Sequence, residues 1–181
     1  LTYNGNVRTP VVTVTNSYGT KLTMDNHYTV TYDTGRKNAG TYNVKVTMKG
    51  NYTGTKTLSF KINPINISTC TVKLSATSYT YNGYVKTPTV TVKNSNGATL
   101  TKDTHYTVTY DTGRKNVGTY NVKVTMKGNY SGTKTLSFKI NPINISKCTV
   151  KLSATSFAYN GKVKTPTVTV TNANGVKLTK D

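Results

Sequence analysis

Histidine, cysteine and aspartate are the side chains of this 181-residue chain that could support acid–base, nucleophilic or metal chemistry, and they are few. The histidines are His27 and His105 and the cysteines are Cys70 and Cys148, so each pair is separated by 78 residues. The acidic residues are all aspartates, namely Asp25, Asp33, Asp103, Asp111 and Asp181. No serine, cysteine or carboxylate stands at a repeated spacing that would complete a nucleophile–base–orienter set. We therefore predict that the chain is not an enzyme and has no catalytic residues, metal ligands or cofactor.

The two cysteines are predicted to stay apart. Repeats laid end to end would separate Cys70 from Cys148 by roughly 30 to 40 Å, given about 3.3 Å per strand residue, whereas the Cα atoms of a disulfide lie within about 7 Å. Cys70 shares the inward register of Val72 and Leu74, and Cys148 shares that of Val150 and Leu152, which predicts a buried, inert thiol at both positions. Crosslinking between chains is the alternative. Two cysteines without clustered histidines do not form a zinc site.

Positively charged side chains greatly outnumber negatively charged ones. The chain has 24 Lys and Arg residues against five acidic ones, and its formal net charge is +19. Such a surface attracts polyanions through counterion release. The pairs Arg36-Lys37 and Arg114-Lys115 stand on a predicted loop tip, where binding residues often lie, and are the candidate polyanion contacts. The alternative is that evenly spaced lysines keep a repetitive β protein soluble and prevent pairing at sheet edges.

A gapless repeat of 78 residues organises the sequence. Residues 1–78 and 79–156 are identical at 65 of 78 positions, and a third, partial copy follows. This unit is longer than the solenoid units of about 20 to 50 residues, and it can hold a small core of its own. We predict three tandem modules, which are an N-terminally truncated one at 1–65, a complete one at 66–143 and a C-terminally truncated one at 144–181.

The composition and the local pattern both favour strands. There are 38 Thr, 20 Val and 14 Tyr residues, which are β-branched or aromatic. Apolar and polar residues alternate along short segments, as at Tyr120, Val122 and Val124. Asn-Gly and Gly-Asn pairs at 96–97 and 128–129 predict tight turns. The sequence therefore predicts an all-β fold of small antiparallel β-sandwich modules. A β-roll or solenoid whose strands continue across repeat boundaries is the alternative.

Two proline-containing segments, residues 63–68 and 141–146, separate the predicted modules. Pro64 and Pro142 cannot donate a backbone hydrogen bond and keep the preceding residue extended. We predict that they form short, stiff linkers. No stretch approaches the roughly 20 uncharged apolar residues that cross a bilayer, so we expect no membrane insertion. The sequence begins inside a repeat, so we expect any export signal to lie outside it.

Four short motifs characterise the repeat. In the second repeat they are Tyr-x-Tyr-Asn-Gly-x-x-Lys-Thr-Pro-x-Val-Thr-Val at 79–92, Tyr-Thr-Val-x-Tyr at 106–110, Gly-Thr-Tyr-Asn-Val-x-Val at 118–124 and Gly-Asn-Tyr-Ser-Gly-Thr at 128–133. Over the whole chain this pattern resembles the tandem Ig-like (MBG-like) modules of large surface proteins of Gram-positive, notably clostridial-type, bacteria. The resemblance implies Ig-like sandwiches that act as spacers or adhesin repeats outside the cell wall, and it brings no catalytic residues. One departure is that His27 and His105 stand where the family commonly has an aspartate.

We therefore expect a non-enzymatic structural repeat of an extracellular surface protein or fibre, such as the stalk of an adhesin, at the cell surface or secreted. Its expected partners are neighbouring repeats of the same chain. Two alternatives stay open, namely an adhesive module that binds anionic glycans, teichoic acid or other cell-wall polymers, or DNA, and a self-associating subunit of an extracellular filament. Because the tyrosines alternate inward, we expect no sequence-specific nucleic acid binding. An isopeptide crosslink assisted by a buried Asp103 or Asp111 is a further alternative.

Overall fold

The computed structural model describes residues 1–179, and its regular structure is nearly all strand, with two short 3-10 helices, which confirms the all-β prediction. The strands are β1 (Tyr28–Tyr32), β2 (Gly40–Met48), β3 (Thr55–Ile62), β4 (Ile65–Asn66), β5 (Thr71–Leu74), β6 (Ser78–Thr80), β7 (Val90–Lys93), β8 (Tyr106–Tyr110), β9 (Gly118–Met126), β10 (Tyr130–Ser131), β11 (Thr133–Asn141), β12 (Thr149–Leu152) and β13 (Val168–Thr171). Short 3-10 helices span Ile67–Thr69 and Ile145–Lys147. Over the described residues, no helix has the length and apolar character needed to span a membrane.

Residue contacts divide the chain into two compact units that do not follow the repeat boundaries. The first contains Leu1–Lys73, Val90–Thr109 and Lys123–Thr135, and the second contains Leu74–Thr89, Tyr110–Val122 and the residues from 136 onward. The module boundaries that we placed after residues 65 and 143 therefore stay predictions. Residues 180 and 181 of the predicted third module lie outside the described residues.

The N-terminal repeat contains an antiparallel sheet in the order β1-β2-β3. Tyr28 lies opposite Met48, and Val44 lies opposite Leu58. Because successive side chains of a strand point to opposite faces, this register collects apolar residues on one face. The core of the repeat consists of Leu22, Tyr28 and Val46, packed against Val12, Val14, Val30, Met48 and Tyr52.

The middle repeat contains two sheets. One has the order β6-β11-β9-β8, and the other pairs β5 with β7. The Tyr106 hydroxyl on β8 donates to the Val90 carbonyl at 3.2 Å, and the Tyr110 hydroxyl donates to the Pro88 carbonyl at 2.7 Å. These bonds tie β8 to the chain at β7. The most deeply buried side chains of this repeat are Pro88, Val92, Val122, Val124, Phe138 and Ile140.

The predicted turns form where the residues tolerate positive φ. The Asn94 N–H donates to the Ala98 carbonyl at 3.0 Å, and the Gly97 N–H donates to the Asn94 carbonyl at 2.9 Å. Gly97 has a φ of +82°, a conformation that glycine adopts without a Cβ clash. The predicted reversal at residues 96–97 is therefore confirmed.

Two short pairings are parallel, which differs from a wholly antiparallel sandwich. Ser78 of β6 lies opposite Lys139 of β11, and Ile65 of β4 lies opposite Tyr130 of β10. Parallel neighbours require a long connection, and the chain passes through β7, β8 and β9 before it reaches either partner. Alternation along a strand marks its buried face but does not identify its neighbour, so these pairings were not predictable from the pattern.

The C-terminal segment forms a two-stranded sheet of β12 and β13. Val150 lies opposite Val170, and Leu152 lies opposite Val168. Val150 is 49% exposed and Leu152 is 48% exposed. The apolar side chains of β12 therefore remain largely in contact with solvent.

Candidate functional site

Arg114, a predicted polyanion contact, helps to hold its own loop together. Its guanidinium carbon lies 5.1 Å from the centre of the Tyr110 ring, and its Nη1 donates to the Asp111 carbonyl at 2.9 Å. Its Nε is buried without a hydrogen-bond partner. Burial raises the pKa of the Tyr110 hydroxyl, and the charge of Arg114 opposes that rise. The guanidinium is thus packed on an aromatic ring.

Arg36 has the same surroundings one repeat earlier. Its guanidinium carbon lies 4.9 Å from the centre of the Tyr32 ring, and its Nη1 donates to the Asp33 carbonyl at 2.8 Å. The adjacent Lys37 and its counterpart Lys115 are exposed. The structure therefore separates the four candidate contacts into two arginines that brace loops and two lysines that face solvent.

The histidines are hydrogen-bond acceptors within turns. Nδ1 of His105 accepts from the Thr101 N–H at 2.9 Å, and its ring packs edge-on against Tyr130 with centroids 5.5 Å apart. Nδ1 of His27 accepts from the Thr23 N–H at 3.0 Å. Each ring therefore stabilises the turn that leads into β1 or β8.

The aspartates considered for an isopeptide crosslink lie at the surface. Asp103 and Asp111 are both exposed. The Asp111 carboxylate accepts from the Asn121 N–H at 2.8 Å, which fastens the loop before β9 to that strand. An isopeptide crosslink requires a buried acid beside both partners, so these exposed positions contradict that alternative.

The two cysteines are both free thiols, but their surroundings differ. Cys70 is 6% exposed, and its Sγ lies 4.0 Å from the Asn66 carbonyl. Burial raises the pKa of the Cys70 thiol. Cys148 is only half-buried. The predicted buried thiol is therefore confirmed for Cys70 and is wrong for Cys148, which lies beside the exposed strand β12.

The first predicted linker is hydrogen-bonded on both sides of its proline. The Asn63 carbonyl accepts from the Tyr3 N–H at 2.8 Å, and beyond Pro64 the Ile65 N–H donates to the Asn129 carbonyl at 3.0 Å. Pro64 lies between Asn63, which bonds to Tyr3, and Ile65, which bonds to Asn129. Because proline has no backbone N–H, no hydrogen-bond acceptor is needed at that position. The segment is part of the packed structure of the first compact unit.

Asn129, in the turn between β9 and β10, joins this segment to the following repeat. Its Oδ1 accepts from the Ala39 N–H at 2.7 Å, and its Nδ2 donates to Asn38 Oδ1 at 3.1 Å. Its backbone carbonyl accepts from the Ile65 N–H. Asn51, the same residue one repeat earlier, is exposed. No sequence signal distinguishes the two asparagines, which is why the role of Asn129 was missed.

Apolar contacts fill the same region. Ile67 of the first 3-10 helix is 4% exposed, and a Cβ at Gly132 would lie only 2.9 Å from its Cγ2. The Tyr3 and Tyr130 rings meet edge to face with centroids 6.1 Å apart. We call this region the repeat joint, and its members are Tyr3, Asn38, Ala39, Ile65, Ile67, Asn129, Tyr130 and Gly132.

The second predicted linker has different packing. The Asn141 carbonyl accepts from the Tyr81 N–H at 2.8 Å, which parallels the bond at the first linker. Pro142 is exposed, and Ile145 is 69% exposed, whereas its counterpart Ile67 is 4% exposed. Two segments of nearly the same sequence therefore occupy different environments.

Two copies of one known domain account for most of the chain. The sequence model of the MBG domain family matches residues 1–66 and residues 70–144. The chain belongs to the MBG domain family. The predicted tandem MBG-like modules are therefore confirmed, and the 3-10 helix of the repeat joint lies between the two matched MBG segments. No curated protein matches the chain.

Proposed function

We propose that this chain is a non-enzymatic structural segment of an extracellular surface protein or fibre, in which tandem MBG domains act as a stalk or spacer of an adhesin. The repeat joint is the main support. A spacer must limit bending between successive domains, and a joint with buried side chains does so better than a flexible linker. The bonds of Asn129 to Asn38, Ala39 and Ile65 are the observation that carries this proposal.

Several interactions, each of modest strength, stabilise the repeat joint. A hydrogen bond contributes about 0.5–1.5 kcal/mol, and a buried donor left without a partner costs about 1–3 kcal/mol. Replacing the Asn129 side chain would remove the acceptor of the Ala39 N–H. The packing of Ile67 would remain, so the joint should loosen without unfolding either domain.

The variant Asn129→Ala tests the proposal in the full chain. We expect it to broaden the conformational ensemble fitted to small-angle X-ray scattering, because the Ala39 N–H loses its acceptor. Asn51→Ala is the matched control, since the same residue is exposed there. The measurement should be made at a dilution where the copies are separate. Scattering profiles of both variants that superimpose on that of the parent would refute a stiffening role for the joint.

A second candidate function is the binding of anionic polymers through lysine faces. The supporting observation is that Lys37 and Lys115 are exposed at loop tips, while Lys45 and Lys123 point outward from β2 and β9. Many weak contacts of this kind gain strength when several domains bind one polymer. Such binding would weaken as salt rises, because it depends on counterion release.

The double variant Lys37→Ser/Lys115→Ser tests this candidate with heparin as the probe. We expect log affinity to fall less steeply with log salt in this variant, because each lost lysine contact means that fewer counterions are released. The variant Lys45→Ser/Lys123→Ser removes the same charge from strand faces and should change affinity less if the loops make the contacts. If heparin does not bind the parent chain even at low ionic strength, this function is excluded.

A further inference from the structure

The first two copies of the repeat are most alike from their histidine onward. Residues 27–78 and 105–156 differ at three of 52 positions, which are Ala39/Val117, Thr53/Ser131 and Thr69/Lys147. The 26 residues before them differ at ten positions. Differences within the later segment are therefore rare, and their places in the structure can be compared with the surfaces where the copies meet.

All three positions fall on elements of the repeat joint. The first copy contributes Ala39, whose N–H donates to Asn129 Oδ1 at 2.7 Å, and Thr69, whose hydroxyl donates to the Asn66 carbonyl at 2.8 Å within the 3-10 helix. The second copy contributes Ser131, which pairs with Asn66 where β10 meets β4. Over the compared segment, the two copies therefore differ only at positions that belong to this joint.

Ala39 is the differing residue that the second copy approaches most closely. The side-chain amide of Asn129 bonds to the Ala39 N–H at 2.7 Å and to Asn38 Oδ1 at 3.1 Å, and Ala39 is half-buried. The valine of the other copy carries two γ carbons on its Cβ, close to its own backbone. At position 39 these carbons would crowd the incoming amide.

The loop that carries Ala39 has little freedom to make room for a larger side chain. The Tyr42 hydroxyl lies 2.9 Å from the Gly35 carbonyl oxygen and 3.0 Å from that of Asn38. A Cβ at Gly40 would lie 3.3 Å from the same hydroxyl. Because the loop is held on both sides of this contact, a larger residue at position 39 displaces Asn129 instead of the loop.

We propose that residue 39 makes the repeat joint selective, so that a loop with alanine accepts the Gly-Asn-Tyr-Ser-Gly turn of the next repeat more tightly than a loop with valine does. In this chain the turn consists of residues 128–132. The proposal rests on the joint that supports the proposed spacer function, and it adds that the joint discriminates between copies of the repeat.

Such selectivity serves a chain of nearly identical domains. Incorrect docking between domains is a characteristic failure of repeat proteins, and a correct partner is preferred only when the wrong one binds less tightly. A substitution at the joint changes the affinity of one copy for another, while the buried residues and turns that fold each domain stay the same. Alanine or valine at this position therefore sets which neighbours pack firmly.

Amide hydrogen exchange in the full chain tests the proposal at Ile65, whose N–H donates to the Asn129 carbonyl. We expect Ala39→Val to speed exchange at Ile65 by about tenfold, because displacement of Asn129 opens the joint more often. Amides within β2 should keep the protection that they have in the parent, which would show that the first repeat stays folded.

Val117→Ala is the matched control, since it makes the reverse change at the equivalent position of a loop that is not part of this joint. That loop is held in the same way, with the Tyr120 hydroxyl 2.8 Å from the Gly113 carbonyl oxygen. We expect exchange at Ile65 to be the same in this variant as in the parent. Faster exchange at Ile65 in both variants would overturn the proposal.

A double variant separates an effect on the joint from an effect on the loop alone. In the Asn129→Ala background the acceptor is already absent, so Ala39→Val should not speed exchange at Ile65 any further. An equal increase in both backgrounds, or a protected Ile65 that Ala39→Val leaves unchanged, would overturn selectivity without affecting the spacer function. An unprotected Ile65 in the parent would instead contradict the joint itself, and both proposals with it.

Discussion

Cys70 and Cys148 occupy equivalent positions in two MBG repeats, but their neighbours give them different chemistry. Cys70 is 6% exposed, and burial raises the pKa of its thiol. Cys148 is half-buried and belongs to the segment whose strand β12 is exposed. Since the thiolate is the reactive form of cysteine, the two residues should differ in reactivity.

Iodoacetamide should therefore modify Cys148 faster than Cys70 when the chain is dilute enough to be monomeric. The rate at Cys70 should be several-fold lower, because burial raises the pKa of its thiol and also restricts access of the reagent. The reaction at Cys70 should also reach its maximal rate at a higher pH in the folded chain than in the unfolded chain, because burial raises the pKa of its thiol. Mass spectrometry of the two peptides gives both rates. Equal rates in the folded chain, with the urea-unfolded chain as reference, would contradict this assignment.

At the scale of secondary-structure elements, the first 3-10 helix and the turn before β11 approach each other closely. Gly132 has a φ of +93°, and a Cβ there would lie 2.9 Å from Ile67 Cγ2. Gly54, its counterpart, has a φ of +104° but no atom within 4 Å of such a Cβ. Both glycines therefore have a positive φ, but only Gly132 is closely packed against another residue.

Gly132→Ala should destabilise the chain more than Gly54→Ala. Both variants force an L-residue into positive φ, which costs about 1–2 kcal/mol. Only Gly132→Ala also crowds Ile67, and such overpacking costs about 1–3 kcal/mol more. Urea unfolding followed by circular dichroism measures the difference. Equal midpoints for the two variants would mean that the close approach between Gly132 and Ile67 is not part of the stable structure.

Most strands and turns of this chain could be predicted from the sequence, because alternation and Asn-Gly pairs are local signals. The alternation at Tyr120, Val122 and Val124 correctly located β9. The repeat joint could not be predicted, because Asn129 and Asn51 are identical in type and only their neighbours differ. Charge composition likewise could not show that Arg114 packs on Tyr110 while Lys115 faces solvent.

At the scale of the whole chain, the repeats are nearly identical in sequence, and residues 1–78 and 79–156 agree at 65 of 78 positions. The family match covers residues 1–66 and 70–144, and Val92, Val122 and Phe138 of the middle repeat are each fully buried. A spacer that consists of repeated domains requires each repeat to fold independently of its neighbours. The central claim is therefore that a single repeat is a self-contained domain.

Thermal unfolding of an excised segment of residues 66–143 tests this claim most directly. We predict one cooperative transition in which the calorimetric and van't Hoff enthalpies agree, as expected for a small two-state domain. A segment that shows no transition, and whose amide resonances have the narrow dispersion of an unfolded chain, would contradict the account.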